Sequence, residues 1–218
     1  MTHKLLGITL LWVTCSMVST STNALEYSGP VDHLNFNVYF NDKRIGEHTF
    51  TFSQADSVTR VQSEASFNYK ILFITAFRYE HSAAERWRNN CLTQIEARTN
   101  SNGNRVQLSG ERSTAGFMLD TGDQETELPD CVMTFAYWNP RLLDQSRLLN
   151  PQTGEYVDVE VVAMGEETLQ MDGKDLPAKR YRIIADDADI SLWYSLEYEW
   201  LALESVAKGK HLIRYERT

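Results

Sequence analysis

The chain has 218 residues, 42% of them hydrophobic and 23% charged, with a formal net charge of −9. That length and apolar content suffice for one domain with a substantial core. The acidic balance works against nucleic-acid binding, because phosphates would be repelled, and against adhesion to anionic lipid surfaces.

The first 24 residues read as an export signal. Lys4 gives a thin positive start, Leu5–Val13 is an apolar run too short to span a bilayer, and Thr22-Asn23-Ala24 places small side chains ahead of an expected cleavage before Leu25. Lipidation at Cys15 is the rival reading, although Trp12-Val13-Thr14 lacks the leucine and small residue such a site offers. Cleavage leaves 194 residues (218 − 24), one unit more negative without Lys4, and no later segment apolar enough to cross a membrane. The periplasm is the expected compartment. Two cysteines remain, Cys91 and Cys131, and an isolated pair in an oxidising compartment is expected to form one disulfide. Their spacing gives no CxxC motif of the redox or metal-binding kind.

Beyond the leader, period-two alternation dominates, the mark of half-buried strands. In Leu34–Phe40, Leu34, Phe36, Val38 and Phe40 share a face, and Asn41-Asp42-Lys43 reads as a turn. Arg44–Phe52 and Val58–Tyr69 follow, then the long stretch Phe73–Trp87. A turn at Asn89-Asn90 leads into Leu92–Arg98, and one at Asn102-Gly103 joins it to Arg105–Leu108, with Gly116–Leu119 next. One helix of about two turns is expected from the Asn139-Pro140 start, the apolar side of Leu142, Leu143, Leu148 and Leu149, and the stop at Pro151. Further strands are Tyr156–Met164, Ala178–Ile184, Ile190–Leu196, Trp200–Val206 and His211–Arg217, with turns at Asp172-Gly173 and Glu197-Tyr198-Glu199. No repeat or linker divides residues 25–218. Ten or more strands are too many for one flat sheet, so the expected fold is an all-β antiparallel meander curled into a barrel or half-barrel, with one short helix.

The stretch Phe73–Trp87 carries the functional signal. One face holds Phe73, Thr75, Phe77, Tyr79, His81, Ala83, Glu85 and Trp87; the other holds Arg78, Glu80, Ser82, Ala84, Arg86 and Arg88. The second set is solvated, so the first looks inward, and it carries an imidazole and a carboxylate among aromatics. Burying both without partners would cost several kcal/mol. Residues four apart on a strand lie about 13 Å from each other, so His81 and Glu85 need partners on neighbouring strands. Arg98, Lys179, Arg182, Glu204 and Tyr215 are the candidates. The bland reading is a set of satisfied polar groups at a barrel rim. The sharper one is a cavity with aromatic walls and a few polar anchors, lined by Tyr79, His81, Glu85 and Trp87, with Trp193 and Trp200 from a second aromatic group near the C-terminus.

No other chemistry is signalled. The histidines beyond the leader, His33, His48, His81 and His211, form no metal-ligand spacing, and His48 reads as an ordinary strand residue. There is no G-x-S-x-G elbow and no glycine-rich loop before a helix, so no metal or cofactor is expected.

Several local patterns do look like a known family. Tyr79-x-His81-x3-Glu85-x-Trp87, Tyr137-Trp138-Asn139, Leu149-Asn150-x2-Thr153-Gly154-Glu155, Leu192-Trp193-Tyr194 and Trp200-x2-Leu203-Glu204-Ser205 resemble an uncharacterised family of exported bacterial proteins, a domain of unknown function. The resemblance spans Val31–Arg217. It implies an all-β, curved-sheet periplasmic protein and brings no activity or catalytic residues. A curved half-barrel with a small helix is also similar in architecture to periplasmic carriers of lipoproteins or lipids, a likeness of fold alone.

The leading expectation is a non-enzymatic periplasmic protein holding a small apolar or amphiphilic molecule, such as a lipid, in the sheet concavity. An envelope interaction protein with a filled core is the alternative. A hydrolase or isomerase using His81 with Glu85 or Glu204 ranks third, and would require a histidine–carboxylate contact at an open cleft.

Overall fold

The computed structural model describes residues 32–71, 74–171, 173–186, 188–207 and 211–218. The leader with Cys15, and Phe73 and Asp172, lie outside the described residues. Strands follow one another in chain order: β1 (His33–Phe40), β2 (Lys43–Ala55), β3 (Val58–Ile71), β4 (Ile74–Arg88), β5 (Cys91–Ser101), β6 (Asn104–Arg112), β7 (Phe117–Asp120) and β8 (Glu125–Leu128). After a 3-10 turn at Pro140–Asp144 come β9 (Arg147–Leu149), β10 (Tyr156–Asp158), β11 (Glu160–Met171), β12 (Lys174–Ala185), β13 (Ala188–Tyr194), β14 (Trp200–Ala207) and β15 (His211–Arg217).

Thirteen strands form one antiparallel sheet in the order β11-β12-β13-β14-β15-β1-β2-β3-β4-β5-β6-β7-β8, while β9 and β10 pair separately. Hairpins connect nearest neighbours almost throughout. The long-range step is β15 pairing with β1, Phe36 opposite Arg217 and Phe40 opposite Ile213, which joins the two halves of the meander. The sheet curls without closing. Asparagines at positive φ make the tight turns, Asn41, Asn89, Asn90 and Asn102, as side chains that tolerate the left-handed region.

The inward face packs into one large cluster containing Phe36, Phe50, Phe52, Trp87, Leu192 and Trp200. The segment from Asp130 to Asn150 enters the concavity as a plug. Trp138 meets Phe52 and Trp87 edge-on, at 5.3 and 5.5 Å between ring centroids. Cys91 and Cys131 are joined as a disulfide, Cα atoms 4.9 Å apart, and beside them Leu92 N–H donates to the Val132 carbonyl at 2.9 Å. The β4–β5 hairpin and the plug are thus tied covalently and by a ladder bond. Gly46 lets β2 and β3 close up: a Cβ there would lie 1.9 Å from the Ser66 carbonyl oxygen, backbone that cannot yield.

The expected two-turn helix is one 3-10 turn. Its start reads correctly, with the Asn139 side chain accepting from Arg141 N–H and Pro140 in the first position. Leu148 and Leu149 do not extend an apolar helical side, because they pair as β9 with Val157 and Tyr156. The stretch read as one strand over 156–164 is two: β10 pairs with β9, while β11 begins at Glu160 and runs to Met171 along β12.

Candidate functional site

Strand register explains where free volume arises. Across β2–β5 the inward rows read His48, Ala65, His81, Thr99 and then Phe50, Ser63, Ala83, Ala97. Ala65 in the first row and Ser63, Ala83 and Ala97 in the second are small, while His48 and Phe50 stand at the β2 flank. A cavity of about 650 Å³ opens above them, floored by β2–β4 and walled on the far side by Ile190, Leu203, Ile213 and Tyr215. The plug closes one end with Thr134, Tyr137 and Trp138, and the half-buried rings of Phe40, Tyr69 and Phe77 border the other. That size falls within the usual range for small-molecule sites. A groove of similar size, about 630 Å³, runs over the opposite face of the sheet, but exposed charges such as Glu47, Glu64, Arg98 and Arg105 line it. His81 and Thr99 border it as well, whereas the buried Ser63, Glu85 and Thr134 border the inner cavity and not the groove.

Two imidazoles and one carboxyl group on that lining lie away from water. His81 is buried and shares a 2.9 Å hydrogen bond between Nδ1 and Thr99 Oγ1. His48 shares one of 2.7 Å between Nε2 and Ser63 Oγ, and its Nδ1 is buried with no partner. Desolvation holds the His81 pKa near 4. Desolvation, helped by the proximity of His81, holds His48 near 3. Both imidazoles are neutral at pH 7. Glu85, also buried, accepts from Trp87 Nε1 at 3.0 Å and from Thr134 Oγ1 at 3.2 Å. Burial raises its pKa to about 7, the two hydrogen bonds opposing that rise.

Aromatic rings complete the wall. Tyr79 stacks on Phe67 at 5.2 Å and continues a ladder along β4 with Phe77 and His81. Burial also raises the phenol pKa values of Tyr79, Tyr137 and Tyr215; Tyr137 adds to the rise at Tyr79, and Tyr79 and Tyr137 both add to the rise at Tyr215.

Tyr79, His81 and Glu85 therefore lie where the alternation on β4 indicates. The three tryptophans lie elsewhere. Trp87 is packed into the core behind the cavity, where its indole N–H holds Glu85. Trp200 is buried with its ring 4.0 Å from Phe36 and its indole N–H on the Ala202 carbonyl. Trp193 belongs to a separate cluster with Ala178, Leu201 and Ala202, donates to Glu167 at 2.6 Å, and lies off the cavity.

Of the residues expected to partner His81 and Glu85, Tyr215 alone shares the cavity. Arg98 is exposed on the outer groove, Lys179 reaches the Leu196 carbonyl, and Arg182 pairs with Asp189. Glu204 makes no bond to His81. The actual partners, Thr99, Thr134 and Trp87, are neutral. His48 was missed, though its phase with Phe50 and Phe52 on β2 places it on the inward face. Among the described residues no His–carboxylate hydrogen bond joins His81 to an acid, and no group of three His, Cys, Asp or Glu side chains is placed to hold a metal ion.

The curled meander has a solved counterpart. A β-barrel-like protein of a domain of unknown function, DUF1849, from Brucella abortus superposes with a TM-score of 0.63, at 9% identity over 85% of this chain and 94% of that one. At that identity the likeness is one of fold. The chain itself belongs to the family described as a domain of unknown function, DUF6134, which matches residues 36–218. No curated protein matches the sequence.

Proposed function

We propose that this is a non-enzymatic binding or carrier protein of the bacterial periplasm that holds a small apolar or amphiphilic molecule in the sheet concavity. One observation carries the reading: a hollow of about 650 Å³ with aromatic walls, onto which buried polar groups with unused hydrogen-bonding capacity converge. A protein selected for stability alone would fill that space, since empty volume forfeits dispersion contacts. The export signal supports the compartment, and the disulfide suits an oxidising one. Each cavity acid or imidazole is engaged by a neutral partner, and no nucleophile–base–acid series is assembled among the described residues there.

The interaction-protein alternative draws less support. The free edge strand β11 is interrupted by a bulge between Ala163 and Gly165 and carries Glu160, Glu166 and Glu167, the features that discourage strand addition. The test is native mass spectrometry of the protein released from the periplasm without detergent. A bound mass that denaturation removes, on a chain beginning at Leu25, is expected. A bare chain together with a solid interior in a crystal structure would overturn the reading.

A further inference from the structure

We infer that the molecule held in the cavity is an amphiphile with an uncharged polar end bearing a hydroxyl or amide group, seated between His48 and His81, with its apolar body along the aromatic wall. This rests on the carrier reading above and specifies the ligand class.

The composition of the lining gives the first reason. Among the described residues no lysine, arginine or aspartate borders the cavity, and Glu85 is the one acid. A carboxylate or phosphate would enter without a counter-cation, and an unpaired charge in an apolar site costs several kcal/mol. The imidazoles do not supply that cation, since burial, joined at His48 by the proximity of His81, keeps both neutral at pH 7.

Unused hydrogen-bonding capacity gives the second. His48 Nδ1 is buried without a partner. His81 is engaged through Nδ1, leaving Nε2 without a protein hydrogen bond, and the hydroxyls of Tyr79, Tyr137 and Tyr215 likewise make none among the described residues. A neutral imidazole offers one donor and one acceptor, and hydroxyl partners such as Ser63 and Thr99 can turn either way. The two free nitrogens can therefore present a donor, an acceptor or one of each. A hydroxyl or amide head uses both kinds; an ammonium only donates and a phosphate dianion only accepts.

Glu85 does not make the site cationic in preference. Both its oxygens already accept hydrogen bonds, from Trp87 and Thr134. It also lies four residues along β4 from His81, about 13 Å away, at the plugged end.

The test uses four probes. The neutral dye N-phenyl-1-naphthylamine is titrated into the purified protein near pH 7.5. It is then displaced by monolauroylglycerol, laurate or dodecylammonium below their micelle concentrations, so that tail length is shared and the head varies. Monolauroylglycerol is expected to displace the dye at a concentration about tenfold or more below the other two, the scale set by leaving a charge unpaired. In the His48→Phe/Ser63→Ala variant, which keeps ring volume and leaves no stranded hydroxyl, that preference is expected to shrink while dye binding persists. Equal or tighter binding of laurate or dodecylammonium would overturn the uncharged-head inference and leave the carrier reading standing. If neither the dye nor any amphiphile binds, the carrier reading itself fails.

Discussion

Glu85 and the two imidazoles pull in opposite directions on stability over overlapping pH windows, and a substitution at Glu85 separates them. Glu85 titrates near 7 in the folded chain against 4.5 as a free side chain. Between those values the folded state holds a proton that the unfolded chain has released, so the contribution of Glu85 to stability declines as pH rises through that window. His48 and His81 ionise near 3 and 4 when folded, against 6.5 unfolded. The unfolded chain then binds the extra protons, and stability falls as pH drops below 6.5. Glu85→Gln removes the first effect and leaves the second. From pH 4 to pH 8 the variant is expected to gain about 3 kcal/mol relative to the wild type, read from urea midpoints. A difference that stays constant with pH would show that Glu85 ionises normally. His81 and Glu85 were visible in the sequence because alternation on β4 is unbroken and the opposite face is plainly charged. Their partners were not: Thr99 and Thr134 are short neutral side chains fixed by register and by a plug some 50 residues away in sequence, for which no local pattern exists.

Elements differ in how far local rules determine them. Strands β1 to β6 follow from alternation and from asparagine turns, because one buried face per strand fixes register. The segment read as a helix failed that logic. Asn139 and Pro140 begin a turn, but Leu148 and Leu149 bury themselves better as a strand inside the concavity than on a two-turn helix that could gain little from hydrogen bonding alone. The plug depends on tertiary ties, and these can be cut one at a time. Replacing Cys91 and Cys131 together by serine removes a cross-link of 40-residue separation and is expected to cost up to about 4 kcal/mol, measured by chemical denaturation. Trp138→Ala, which empties the contact with Phe52 and Trp87, is expected to cost about 3–5 kcal/mol. If both variants unfold at the wild-type midpoint, the plug is not a structural part of the concavity.

At the scale of the whole molecule, a hydrogen-bonded sheet of thirteen strands curls because strand twist accumulates, and joining β15 to β1 puts the two ends of the described chain side by side near its centre. The number of strands and the need to curl were readable from composition and turn spacing. The hollow was readable only as a possibility of the inward face, since its volume depends on Ser63 and Ala83 meeting in one row while Ile190, Leu203, Ile213 and Tyr215 from β13–β15 stop short of filling the gap. Ala83→Leu and Ala136→Leu each add side-chain volume to that space from opposite sides. A solvated cavity accepts such additions at little cost, whereas a close-packed core loses about 1–3 kcal/mol.

The most direct measurement combines these two substitutions with a saturation titration of N-phenyl-1-naphthylamine. The wild type should bind one dye per chain with a blue-shifted, saturable signal, and Ala83→Leu/Ala136→Leu should lose that signal while unfolding at nearly the wild-type midpoint. Saturable binding that survives unchanged in the filled variant, or none in the wild type, would contradict a ligand-holding interior.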